Sequence, residues 1–242
     1  MKKNIPYLLL IFILGMAGGI FANQIFWPYF INKPLFEKYN LEQPPIYVTE
    51  RKEITIQENT ALTEAIEKVS KTVIGVKTKT MQGSGLIVTN DGLVVTLARL
   101  VPNSEIFSFY IDGVLQNFQI LKRDAKTGLA LVKLEANKLL SPNFRDFEDL
   151  KLGERVFMVS YRDGLTKSVN EGIIKFITRS DISGASSVIG RIETNIIEKD
   201  SVQGSPLFDI QGRLIGIAVG SLAGQGNQIE AIPVSEVKNL LK

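Results

Sequence analysis

The sequence contains no histidine and no cysteine. Without cysteine there is no disulfide framework, no thiolate nucleophile and no cysteine-ligated zinc site. Without histidine the usual general base near neutral pH is missing, and so is the commonest transition-metal ligand. Excess charge is lacking too. Twenty-eight Lys and Arg against 25 Asp and Glu leave a net +3, too little to indicate nucleic acid in the absence of a local basic patch. What is present is ordinary for a folded protein: 45% hydrophobic and 22% charged residues exclude global disorder.

The first feature present is an apolar run. Asn4 to Ile31 carries no charged residue, and Ile5 to Phe26 is almost wholly apolar. Roughly 20 such residues span a hydrocarbon core of about 30 Å. Lys2 and Lys3 precede the run, which the positive-inside rule reads as a cytoplasmic N-terminus with the remainder outside the cytoplasm. Trp27, Tyr29 and Phe30 follow, as at a membrane interface. Ala17-Gly18-Gly19 is an alternative cleavage site, but apolar residues continue well past it, which favours an uncleaved anchor over residues 1–31.

Residues 32–59 read as a linker broken by Pro34, Pro44 and Pro45, with an edge strand at Ile54-Thr55-Ile56 as one reading. Thr60 to Ser70 places Leu62, Ile66 and Val69 on one helical face. From Thr72 onward, about a dozen short β-branched runs alternate with turn residues such as Asn90-Asp91-Gly92, Asp112-Gly113 and Gln211-Gly212. Val114 to Leu121 reads as one strand, and Val234 to Leu241 as a closing helix. Strands at this spacing without intervening helices indicate an all-β barrel or sandwich pair, and disfavour a βαβ architecture, whose parallel strands need crossover helices. Phe107, Phe109 and Tyr110 read as barrel core. The acidic stretch Asp146, Glu148 and Asp149 lacks the spacing that would define a calcium site.

The order of these segments resembles that of HtrA-type serine proteases. Gly83-Ser84-Gly85-Leu86-Ile87 followed by Asp91-Gly92 and Thr96-Leu97-Ala98-Arg99-Leu100-Val101 is similar to that family's GSGFI, DG turn and VTNxHVV. Asp124 to Lys133 resembles its D-x-x-x-D-L-A-L-L-K segment. Leu152-Gly153-Glu154-Arg155-Val156 and Asn170-Glu171-Gly172-Ile173-Ile174 resemble two of its strand openings. Thr194 to Leu207 aligns with T-D-A-x-I-N-x-G-N-S-G-G-P-L, and Ala231-Ile232-Pro233-Val234 with its AIP segment. The resemblance covers residues 60–242. It implies two six-stranded antiparallel β-barrels with a cleft between them, behind an N-terminal transmembrane helix and without the PDZ module of many relatives.

The resemblance also locates three catalytic slots, and none holds its usual residue. The general-base slot holds Arg99, the orienting-carboxylate slot Gly128, and the nucleophile slot Gln203. A guanidinium accepts no proton, glycine orients nothing, and an amide does not attack a carbonyl. An oxyanion-hole remnant is expected at Ser201, Gln203 and Gly204, since its donors are backbone N–H groups. Ser201 and Ser205, with Lys199 nearby, are the alternative nucleophiles of a Ser-Lys dyad; Glu198 and Asp200 instead favour the charged form of that lysine. Arg99 reads as a solvated strand-end residue, with a grip on a partner's carboxylate as the alternative.

The expectation is therefore a membrane-anchored, catalytically inactive pseudoprotease that binds extended or unfolded polypeptide or regulates an active relative. By the resemblance, the peptide groove is lined by Val219, Gly220 and Ser221, where strand addition uses main-chain hydrogen bonds and outlives the triad. A scaffold of an envelope assembly and a residual endopeptidase are the alternatives. A homo-trimer is in keeping with the family; no cofactor, metal or nucleic acid is expected.

Overall fold

The computed structural model describes residues 5–32, 49–163, 166–179, 190–197, 203–220 and 228–242. The chain divides into two compact units, Met1–Ile56 and Gln57–Lys242.

In the first unit, helix α1 (Ile5–Phe21) continues into a wider-turned helical segment, Ala22–Asn32, that contains Pro28. Pro6–Phe30 is a 25-residue stretch long and apolar enough to cross a membrane. Its side chains, Leu8, Phe12 and Trp27 among them, are exposed within the chain itself, as a lipid-facing helix requires. Helix α2 (Thr49–Ser70) runs from this unit into the second. The edge strand considered at Ile54–Ile56 does not form. Those β-branched residues sit among Glu, Lys, Gln and Ala, and neighbouring helix propensity carries them into the helix. The face expected from the sequence does form: Val69 and Ala65 are buried, with Leu62 and Ile66 partly so.

Among the described residues, the second unit holds thirteen antiparallel strands. The first seven are β1 (Val73–Thr78), β2 (Gln82–Ile87), β3 (Leu93–Leu97), β4 (Phe107–Ile111), β5 (Val114–Gln116), β6 (Phe118–Arg123) and β7 (Leu129–Leu134). They form one sheet in the order β5-β4-β1-β2-β3-β7-β6. The remainder are β8 (Arg155–Arg162), β9 (Thr166–Thr178), β10 (Arg191–Ile197), β11 (Pro206–Asp209), β12 (Leu214–Gly220) and β13 (Gln228–Pro233). These close into a barrel ordered β10-β13-β12-β11-β8-β9. Helix α3 (Val234–Leu240) ends the chain and buries Val234, Val237 and Leu240.

The expected all-β architecture is present, with one difference in the first lobe. Val114 to Leu121 is two strands, because β5 pairs with β4 and β6 pairs with β7 across the sheet. The lobe is thus a seven-stranded half-barrel with two ends. Asp112 (φ 46°) and Gly113 (φ 83°) supply the left-handed pair that the β4–β5 hairpin needs. Phe109 is fully buried and stacks edge-on against Phe118 at 4.9 Å; Phe107 and Tyr110 are only half-buried. The acidic stretch is spent on ion pairs: Asp146 with Lys238 at 2.5 Å, and Glu148 with Arg179 at 3.0 Å.

Candidate functional site

The three slots lie where the two lobes meet. β3 ends in a single 3-10 turn, Ala98–Leu100, which buries Leu100 and leaves Arg99 exposed. The Ala98 N–H donates to the Gly128 carbonyl at 2.8 Å, so the base slot and the carboxylate slot are joined through the backbone. Gly128 closes a turn that Asp124 organises. The Asp124 carbonyl accepts from the Gly128 N–H, and its carboxylate accepts from the Thr127 hydroxyl at 2.8 Å and the Lys126 N–H at 2.9 Å. Those donors, Thr127 first, hold the Asp124 carboxyl below its ordinary range and make it a poor proton acceptor. Gly128 has φ 77°, in the left-handed region that glycine adopts most readily.

Arg99 is exposed at the end of β3, as read from the sequence, and makes a contact that the sequence did not show. Its guanidinium donates to the carbonyl of Val219 on β12. Arg99, Gly128, Asp124 and Val219 line a cavity of ≈ 340 Å³ together with Leu97, Ala98, Ala125, Thr127 and Ile232. The β11–β12 ladder ends at the Pro206–Ile217 pair, after which Ala218 bonds the turn before β11 through the Ser205 carbonyl and the Gly204 N–H, both at 2.8 Å. Val219 and Gly220 are the next residues along that edge, and the guanidinium sits on the first of them.

The nucleophile slot is held rigidly from the first lobe. The Ser84 N–H donates to the Gln203 carbonyl at 2.8 Å. A Cβ on Gly204 (φ 73°) would fall 2.2 Å from the Ser84 carbonyl oxygen, and one on Gly83 would fall 2.4 Å from that of Gln203. Only glycine permits two backbones to approach so closely. Ser84 is the buried hub: its carbonyl accepts from the Thr96 hydroxyl at 2.7 Å, and its hydroxyl lies 2.8 Å from the Tyr161 N–H and 3.1 Å from the Ser205 hydroxyl. Ser205 is fully buried in that network. Ser201, Lys199 and Ser221 lie outside the described residues.

Gln203 lines a second cavity of ≈ 410 Å³ with Lys77, Thr78, Lys79, Thr80, Met81 and Gln82. Its Oε1 is buried without a hydrogen-bond partner. The three slots are thus divided: Arg99 and Gly128 share one cavity, and Gln203 faces another. Sequence reasoning missed the Arg99–Val219 contact, the Ser84 hub and the two lysines. The alternation Lys77-Thr78-Lys79-Thr80 was the only local signal for the lysines.

The geometry has counterparts among known proteins. A probable periplasmic serine endoprotease DegP-like of Halomonas elongata is 34% identical over 139 residues, which cover 56% of this chain and 28% of that one. A probable serine protease do-like of Buchnera aphidicola is 31% identical over 169 residues, covering 65% of this chain and 34% of that one. This chain therefore spans about a third of the length of these relatives. The fold matches the HtrA-type protease AlgW, solved with a decapeptide, at a TM-score of 0.64 and 19% identity, over 74% of this chain and 66% of that one. The family model for the trypsin-like peptidase domain matches residues 83–217, from the Gly-Ser-Gly strand through β12, and so encloses all three slots. On that match over more than half its length, the chain belongs to the trypsin-like peptidase domain family.

Proposed function

We propose that this chain is a catalytically silent trypsin-like domain that binds extended polypeptide along its cleft, and that its N-terminal helix holds it in the cytoplasmic membrane with the domain outside the cytoplasm. One observation carries this reading: the residue in the base slot is a guanidinium that already donates to Val219, on the strand edge where a peptide would add. A guanidinium takes no proton from an attacking hydroxyl, which is what makes the domain silent in this reading.

The rest supports it. Gly128 gives no carboxylate, Gln203 gives no nucleophile, and Ser205 is buried. Losing one triad member typically costs about 10⁴-fold in rate, and here all three slots differ. The cleft wall needed for strand addition consists of main chain at Val219 and Gly220, which does not depend on the triad. The periplasmic relatives and the two lysines before the span agree with a domain outside the cytoplasm.

The test has two arms on the full chain in detergent. A fluorophosphonate is expected to leave the wild type unlabelled, and the Gln203→Ser variant as well, because Arg99 supplies no base; labelling of either overturns the silent reading. A fluorescent unstructured peptide is expected to bind saturably by anisotropy. Absence of saturable binding, with envelope proteins still co-purifying, would replace the polypeptide reading with that of a scaffold.

A further inference from the structure

We propose that the cavity beside Gln203 selects acidic segments of the bound polypeptide, an inference that rests on the polypeptide-binding reading above. Lys77 leaves β1 on its exposed face, and Lys79 follows in the bend after the strand, also exposed. Both line the ≈ 410 Å³ cavity, and among the described residues no carboxylate lines it with them. Neither lysine has an ion-pair partner among the described residues. Among the described residues, Glu105 touches this wall, where its carboxylate accepts from the Thr80 hydroxyl at 3.2 Å and 3.4 Å. The two ammonium groups are therefore left to whatever enters the cavity.

Two ammonium groups match a carboxylate-bearing side chain, whereas a lysine or arginine of the peptide meets like charge there. The other cavity differs, since Asp124 lines it and offsets the charge of Arg99. Preference for acid thus falls on the Lys77 side of the cleft, and the ligand class is an extended segment rich in Glu or Asp.

The probes are a fluorescent Gly/Ser peptide carrying a run of glutamates and the same peptide with glutamine in their place, titrated against the full chain in detergent at low salt. The glutamate peptide is expected to bind about tenfold tighter, a margin that shrinks as salt screens the lysines. In the Lys77→Gln, Lys79→Gln double variant the margin disappears while affinity for the glutamine peptide stays unchanged, which separates lost selection from lost folding. Equal affinities in the wild type, or a margin that survives in the double variant, overturn the acidic preference and leave polypeptide binding standing. If neither peptide binds, both proposals fall.

Discussion

Asp209 shows how much a single side chain carries in this fold. Its side chain is 3% exposed, and it accepts from the backbone N–H groups of Gln211 and Arg213 at 3.0 Å and 2.9 Å. The Arg213 and Arg145 guanidinium groups lie 2.8 Å and 3.4 Å from its other oxygen. Replacing the carboxylate with an amide keeps an acceptor for the turn but sets an NH₂ group against the Arg213 guanidinium, while Arg145 retains Glu154. Asp209→Asn is expected to cost about 3 kcal/mol in urea unfolding, the scale of a broken buried ion pair. Arg99 is the opposite case, a residue whose loss opens something. Arg99→Ala frees the Val219 carbonyl, so a neutral unstructured peptide is expected to bind about fivefold tighter by anisotropy, as one competing hydrogen bond disappears. Unchanged or weaker binding would mean that this carbonyl is not part of the groove.

At the scale of elements, the closed barrel contains one local conflict. Glu193 on β10 and Glu230 on β13 are paired directly across the ladder. Burial first, then the facing Glu193, pushes the Glu230 carboxyl above its ordinary value, with Arg191 pulling the other way. A carboxyl that is raised in the folded state favours folding most when protonated. That contribution is complete below the unfolded-state value near pH ~4.3 and is lost as pH rises through the folded-state value. Ionised Glu230 is thus a burden at neutral pH. Glu230→Gln is expected to stabilise by about 0.5 kcal/mol at neutral pH, the scale of a cross-strand like-charge pair, with the gain fading toward pH ~4 in urea melts. A gain that is the same at both pH values would assign it to packing.

At the scale of the whole molecule, the domain and the apolar helix differ in what they expose. The helix exposes Leu8, Ile11, Phe12 and Leu14 along its length, while the domain buries Phe157, Phe208 and Tyr161 completely. Absence of cysteine gives a clean test of where the domain resides. A single Lys151→Cys at an exposed position is expected to react with a membrane-impermeant maleimide in intact spheroplasts. Labelling only after lysis would reverse the orientation proposed for the span.

The absence of histidine and cysteine, the apolar stretch, and the alternation of strands and turns were all legible in the amino-acid order. Those features follow from residue type and local periodicity, which a strand, a tight turn or a membrane span imposes on a few neighbours at a time. Val234–Leu240 was legible as a helix, and Asp112-Gly113 as a hairpin, for that reason. Tertiary structure alone decided that Val114–Leu121 divides between two partners, that Ser205 lies buried against Ser84, and that Arg99 reaches a carbonyl 120 residues away. It also brought Lys77 and Lys79 to the cavity of Gln203. Each of these contacts joins segments far apart in the chain, and packing of the two lobes, not local preference, fixes which of them meet.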